Sequence, residues 1–151
     1  MSPEWIYNNC KIGTCASGMS IITGLNFLKN KGGRTWQDIP YSDKNGCEAI
    51  AGVGTHYISG WRSILGKDTT EIKKSLLSGN ILPFTHTLDD AIFKAETIWT
   101  DYVYPVYGPH AGAVIGYDAE SFICMGTYGK TFRVSKASFH KLGYEVFVLQ
   151  N

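Results

Sequence analysis

The first long apolar stretch of the chain has the periodicity of a helix with one narrow polar side. After a polar loop that begins near Asn9, polar residues recur every three or four positions between Cys15 and Asn30. This spacing predicts an α-helix over 15–30 with a wide buried face. Thr14 is a candidate cap, and Gly32 suits a left-handed exit after the last turn. We therefore expect a buried central helix with Cys15 in its first turn.

The next third of the chain has no clear period. Prolines and glycines interrupt every pattern over 33–66, so we expect loops there, with short helices near 35–38 and 47–51. Beyond this stretch, Asp68 precedes Glu71 by three residues, which is the spacing of a capped helix start. The sequence predicts a helix from this point that ends near 78–80.

Alternating apolar residues dominate the second half of the chain and predict strands. The predicted strands are 81–87, 110–117, 121–125, 130–134 and 144–149, and short helices are predicted over 88–97 and 135–142. Three of these strands follow one another closely enough for an antiparallel meander. The sequence thus predicts an α+β fold in which residues 1–80 form a mainly helical lobe and 81–151 a mainly β lobe. With 151 residues, of which 44% are hydrophobic, we expect a single domain.

The charge pattern argues against several classes of partner. The net charge is +1, only 18% of the residues are charged and no basic run occurs, so we expect neither nucleic acid nor an anionic membrane surface as a partner. No run approaches the roughly 18 apolar residues of a membrane span. The first five residues lack the pattern of a secretory signal, which favours a cytoplasmic protein or one carried in a larger assembly. The four cysteines are then expected as free thiols, with a Cys10–Cys47 bridge open in an oxidising compartment.

Cys15 is the candidate nucleophile, because the N-terminus of a helix favours a thiolate over a thiol. Such a nucleophile needs a base from elsewhere in the fold. His110 is the candidate base, since it begins a predicted strand beside glycine and proline, where a ring can face a cleft. His56, His86 and His140 are expected to be ordinary structural residues. No Cys-x-x-Cys motif or close histidine pair predicts a metal site, and no cofactor is expected.

Several motifs resemble those of the papain-like cysteine peptidases. Gly13-Thr14-Cys15 is similar to that family's glycine, small residue and catalytic cysteine, and Asn45-Gly46-Cys47 is similar to its Asn-Gly-Cys turn. The segment 110–117, His-Ala-Gly-Ala-Val-Ile-Gly-Tyr, is close to the family's His-Ala-Val-x-x-Val-Gly-Tyr. With gaps, the resemblance runs from Asn9 to Val148. It implies a papain-like fold, with a helical lobe that carries the cysteine helix packed on an antiparallel β lobe.

The resemblance also implies roles for individual residues. The Cys15 thiolate would attack an amide carbonyl, and His110 would protonate the leaving amine. Asn9 stands where the family has the glutamine that binds the oxyanion together with the backbone N–H of Cys15. Gly126 stands where the family has the asparagine that orients the histidine. Because glycine has no side chain, Thr127 or a backbone carbonyl becomes the candidate orienter.

Two functions fit these residues. The first is a cysteine peptidase or amidase that hydrolyses a peptide or isopeptide bond in a peptide or protein substrate. The second is a papain-fold binding or structural protein that has lost catalysis, an alternative that Gly126 favours. Within the first, a Phe-x-x-x-Gly-Tyr tail is similar to that of the double-glycine leader peptidases of bacteriocin exporters. The peptidase hypothesis expects the sulfur of Cys15 to face the imidazole of His110.

Overall fold

The computed structural model describes residues 1–14, 18–42, 46, 48–94, 98–126 and 130–150. These residues divide into two compact units. The first unit contains residues 1–61 and Gln150, and the second contains Arg62–Leu149. That the chain forms a single domain with lobes over 1–80 and 81–151 stays a prediction.

The first unit begins with a helix where the sequence analysis expected none. Helix α1 (Pro3–Cys10) is capped by Ser2, whose hydroxyl accepts a hydrogen bond from the Trp5 amide at 3.2 Å. Pro3 lies in the first turn, where its missing N–H would have had no partner within the helix. Trp5 is 2% exposed, and its indole Nε1 donates to the carbonyl of Gly32 at 3.0 Å. The expected polar loop therefore starts only after Asn9, which lies in the last turn of α1.

Helix α2 (Ile21–Asn30) is shorter than the helix predicted over 15–30. Residues 18–20 are not helical, and Ser20 takes the N-cap position with φ −70° and ψ 138°. The prediction was wrong over these three positions, because glycine and serine favour a helix boundary over a helix interior. The buried residues of α2 are Gly24, Leu25 and Leu28. The buried face is therefore narrow, and Cys15 lies outside the described residues.

The two short helices predicted between 33 and 66 are absent from the described part of that stretch. At 35–38 the structure has a turn, in which the Thr35 hydroxyl donates to the Asp38 carboxylate at 2.7 Å and accepts from the Asp38 amide at 3.1 Å. These side-chain bonds compete with helical backbone bonds. Residues 48–51 are also non-helical. Both predictions were wrong, and so was the loop predicted over 60–65, which is a strand.

A seven-stranded sheet forms the main architecture and confirms the α+β class. Its strands are β1 (Gly60–Leu65), β2 (Leu82–Asp89), β3 (Ile98–Trp99), β4 (Val106–Tyr117), β5 (Ser121–Gly126), β6 (Thr131–Ser135) and β7 (Glu145–Gln150). Their spatial order is β1-β7-β2-β4-β5-β6-β3. The predicted antiparallel meander of β4, β5 and β6 is confirmed, and β3 pairs with β6 in parallel. The remaining helices are α3 (Thr69–Leu77), α4 (Asp90–Lys94) and α5 (Phe139–Leu142).

The core of the second unit is built from alternate strand positions and from α3. In β2, Leu82 and Phe84 are fully buried. Thr85, whose side chain points to the opposite face of the sheet, is exposed. Ile72 of α3 is fully buried in the same cluster, and Asp68 caps α3 by accepting from the Glu71 amide at 3.1 Å, as predicted. Within the described ranges, no helix is long and apolar enough to cross a bilayer.

Candidate active site

His110 lies inside β4, not at its start, because the strand begins four residues earlier than predicted. The preceding Pro109 pairs with Thr87 of β2, and the described pairing of β4 with β5 extends only to Gly112. His110, next to Pro109 in β4, is half-buried.

A second imidazole lies directly opposite His110. His86 of β2 is its partner in the antiparallel register, so the two side chains share one face of the sheet. The ring centroids are 5.9 Å apart and the ring planes meet at 72°, which is an edge-to-face contact. His86 is 2% exposed, whereas His110 is half-buried. The expected base therefore packs against a histidine that is itself part of the core.

The absent side chain of Gly112 creates the space that the His86 ring occupies. Gly112 of β4 pairs with Gly126 of β5, and Gly112 lies on the same face as His110 because the two are two residues apart. A Cβ at Gly112 would lie 3.1 Å from Nε2 of His86, 3.1 Å from the Met125 carbonyl oxygen and 3.1 Å from Cε1 of Phe84. Such distances are shorter than about nine in ten of the contacts that Cβ atoms make in proteins. The missing side chain at Gly112 is therefore what allows the imidazole to lie there.

Burial holds His86 in its uncharged form at neutral pH. Its ring stacks on Phe84 with a centroid distance of 5.0 Å and contacts Phe132 at 5.5 Å. This burial lowers the pKa of His86 from 6.5 to about 4; the nearby His110 acts in the same direction, and the Thr87 backbone and Asp89 act against it. Neither ring nitrogen meets hydrogen-bond geometry with any residue that the structure describes. An unsatisfied buried polar group typically costs about 1–3 kcal/mol of stability.

Gly126 ends β5 with its amide donating to the Lys130 carbonyl at 3.1 Å. A Cβ at this position would meet Phe132 Cε1 at 3.6 Å and the Lys130 oxygen at 4.0 Å, which are ordinary contacts. The backbone could therefore accept a larger residue, but Gly126 itself presents no side chain to His110. Thr127, the other candidate orienter, lies outside the described residues. The orienting roles of Gly126 and Thr127 stay predictions.

Asn9, the candidate oxyanion donor, lies in the first unit at the last turn of α1. Its side-chain Nδ2 donates to the Trp5 carbonyl at 2.9 Å, which uses one of the two N–H groups of the amide. Asn9 also lines an open cavity of about 510 Å³. The other lining residues are Trp5, Phe27, Asn30, Lys31, Gly52, Val53 and Tyr57. The oxyanion roles of Asn9 and of the Cys15 backbone stay predictions.

Comparison with known proteins shows the fold. No family model matches the sequence, and no curated protein matches it. By structure, the chain is similar to xylellain, a cysteine protease from Xylella fastidiosa, with a TM-score of 0.77 and 17% identity over 99% of this chain and 69% of that one. The chain has a papain-like fold.

Other structures with the papain-like fold agree. The Carica candamarcensis cysteine protease CMS1MS2, solved in complex with E-64, gives a TM-score of 0.71 at 11% identity over 97% of this chain and 76% of that one. Digestive procathepsin L2 from Tenebrio molitor larval midgut gives 0.68 at 14% identity over 97% of this chain. This chain spans 52% of the length of that proteinase. At these identities the shared property is the fold.

A papain-like fold does not by itself supply a reactive thiol, and two of the cysteines are clearly unreactive. Cys10 is a free, buried thiol, and burial raises its pKa from 9.0 to about 11. Cys124 of β5 is a free thiol with no exposed surface, and burial raises its pKa further. Both therefore carry little of the thiolate that reacts with electrophiles. Cys47, proposed as a bridge partner of Cys10, lies outside the described residues with Cys15.

The remaining histidines and a metal site are poorer candidates than His110. His56 is exposed and its Nδ1 lies 2.9 Å from the Thr55 hydroxyl, and His140 is exposed on α5. Over the described ranges, no group of three or more His, Cys, Asp or Glu side chains could hold a metal ion. His86 is the residue that the sequence analysis passed over. Its signal was the alternation of β2, which places a histidine on the buried face between Phe84 and Leu88.

Proposed function

We propose that this protein is a cysteine peptidase or amidase, with Cys15 as the nucleophile and His110 as the general acid and base. The observation that carries the proposal is the similarity of 97–99% of the chain to the fold of cysteine proteases. The histidine at position 110 supports it, since it lies half-buried in the strand whose sequence resembles the family's catalytic histidine strand. The substrate class is a peptide or isopeptide bond in a peptide or protein.

The reaction proceeds in two halves. His110 takes the proton of the Cys15 thiol, and the resulting thiolate attacks the carbonyl carbon of the scissile amide. The tetrahedral oxyanion collapses as His110 returns the proton to the departing nitrogen, which leaves as an amine. Water then attacks the thioester with His110 as base, releasing the carboxylic acid and restoring the thiol. Each step therefore requires His110 in one orientation and in the correct protonation state.

The oxyanion would be bound by the backbone N–H of Cys15 and by the side-chain amide of Asn9. Because Asn9 already donates one N–H to the Trp5 carbonyl, its second N–H is the group that would reach the oxyanion. Asparagine is one methylene shorter than the glutamine of the family. Loss of one such donor typically lowers the rate by about a hundredfold or more, so a misplaced Asn9 would give a slow enzyme.

A papain-fold binding or structural protein is the second candidate, and Gly126 is the observation that favours it. Position 126 has no side chain that could orient the His110 imidazole, and its backbone amide donates to the Lys130 carbonyl. In a binding protein, Cys15 would have the reactivity of an ordinary thiol.

Reaction with an epoxide-type thiol inhibitor, followed by mapping of the adduct by mass spectrometry, separates the two candidates. The peptidase predicts an adduct on Cys15 that is lost in Cys15→Ala and kept in the matched control Cys10→Ala. Cys10 and Cys124 should stay unmodified in the folded protein, because burial raises the pKa of both thiols. Equal modification of all four cysteines, or none of Cys15, would reject the peptidase in favour of the binding protein.

A further inference from the structure

Burial of the His86 side chain at its position in β2 lowers the stability of the fold. It is 2% exposed, lies between the aromatic rings of Phe84 and Phe132, and has no hydrogen-bond partner for either nitrogen among the described residues. A leucine has nearly the same volume and would bury no polar atom there. Buried polar groups without partners are rare in native proteins, and each calls for an explanation. Stability does not provide one for His86.

The surroundings of His86 point towards His110. The two residues are register partners across β2 and β4, and their rings meet edge to face at 5.9 Å. An edge-to-face contact restricts rotation of the more exposed ring, because the positive edge of one ring is attracted to the π face of the other. A neutral imidazole also offers one N–H donor and one lone pair. His86 thus supplies a packing contact and a nearby dipole to His110, without a hydrogen bond between the two rings.

The absent side chain at Gly112 makes room for the His86 ring next to His110. Gly112 and Gly126 face each other across β4 and β5 on the side of the sheet that carries both histidines. The imidazole of His86 passes so close to Gly112 that an added Cβ would lie 3.1 Å from its Nε2. We propose that His86 is the positioning residue of His110, holding its imidazole from β2 where Gly126 offers no side chain from β5. This inference rests on the proposed function of His110.

The protonation state of His86 fits this role. Burial lowers its pKa to about 4, so the His86 ring is uncharged at neutral pH. A charged His86 would repel the imidazolium of a Cys15–His110 ion pair. The titratable groups whose charges act on His86 are His110 itself, from β4, and Asp89, from β2. An uncharged His86 therefore adds no like charge next to His110.

Two substitutions of His86 separate a positioning role from a structural one. His86→Leu keeps the volume and removes the polar atoms, whereas His86→Gln keeps a polar amide of similar size. The readouts are the pH profile of Cys15 alkylation by iodoacetamide and the titration of the His110 ring followed by NMR. We expect His86→Leu to slow alkylation near pH 6 by about tenfold or more, as small displacements of catalytic groups do. His86→Gln should restore most of the rate, and the titration midpoint of His110 should move in His86→Leu.

Controls make each outcome decisive. Leu82→Ala is a buried substitution on the same face of β2, opposite Val114, and should leave both readouts unchanged. Gly112→Ala leaves His86 in the chain but places a Cβ 3.1 Å from its Nε2, from the Met125 carbonyl oxygen and from Phe84 Cε1. It should slow alkylation by displacing the His86 ring, which keeps the test valid if His86→Leu does not fold. Wild-type protein in which Cys15 is no more reactive than an ordinary thiol would overturn the proposed function. Selective Cys15 labelling that is unchanged in His86→Leu and Gly112→Ala would overturn the positioning role alone.

Discussion

Protonation of His86 is expected to destabilise the fold in mild acid. Burial lowers the pKa of this imidazole from 6.5 to about 4, so the unfolded chain binds the proton at a higher pH than the folded protein does. The free energy of unfolding therefore falls as the pH drops from about 6.5 towards 4, and His86 contributes no further loss below that range. His86→Leu has no such proton to bind and should lack this part of the acid sensitivity.

The size of the effect follows from the two pKa values. The gap between 6.5 and about 4, at about 1.4 kcal/mol per pH unit, corresponds to about 3 kcal/mol. His86 is only 2% exposed, so solvent screens little of this penalty. A loss of this size is large beside the roughly 5–15 kcal/mol that stabilises an ordinary domain.

Urea unfolding at pH 7 and at pH 4, followed by circular dichroism, measures this effect. The wild-type protein should lose about 3 kcal/mol more than His86→Leu between the two pH values. Hydrogen bonds lower the pKa values of the Asp118 and Asp101 carboxyls, but both groups titrate in both proteins and cancel in the comparison. Equal losses of unfolding free energy in wild type and His86→Leu would refute the reasoning, because burial would then not lower the pKa of His86.

Three further predictions concern single side chains. Gly112→Ala should destabilise the protein by about 1–3 kcal/mol in urea unfolding, because the added Cβ would crowd the His86 ring, the Met125 carbonyl oxygen and Phe84. Gly126→Ala, on the neighbouring strand, should change the free energy of unfolding by less than about 1 kcal/mol, because its Cβ would make ordinary contacts. Asp89 is fully buried and accepts from three N–H donors, so Asp89→Ala should lower thermal stability by about 3 kcal/mol or more; a loss below about 1 kcal/mol would contradict this account. With its pKa raised from 9.0 to about 11, Cys10 should alkylate about a hundredfold more slowly in the folded protein than in the urea-unfolded chain at pH 8, and equal rates would show that it is not desolvated.

The elements that the sequence predicted well are those whose signal is local. The meander of β4, β5 and β6 has alternating apolar residues and glycine turns, and α3 has a capping Asp68 before an apolar face. Helix α1 was missed although Ser2 and Pro3 form a local start signal, because its eight residues are too few to show a clear apolar period and are held by the buried Trp5. Strand β1 was missed for a similar reason: past Gly60 only Ile64 is buried, and its neighbour in the sheet, β7, is the last strand of the chain.

The sequence singles out His110 as a candidate residue, but it does not predict the surroundings of His110. His110 stood out because the residues around it resemble a known catalytic strand. The contact between His86 and His110 depends on the register of β2 against β4, which a sequence pattern does not fix when both strands are long. The space at Gly112 depends on the same register, because it brings His86 next to a glycine 26 positions further along the chain. The signal that the sequence does contain is His86 itself, a polar residue on the buried face of a strand.

The central claim is that His110 activates the thiol of Cys15, and the pH profile of Cys15 alkylation in wild-type protein and His110→Gln tests it most directly. The account predicts that wild-type Cys15 reacts rapidly at pH 6, well below the pKa of about 8.5 of a free cysteine. In His110→Gln, the same reaction should require the higher pH of an ordinary thiol. Identical profiles in the two proteins would contradict the pairing of Cys15 with His110.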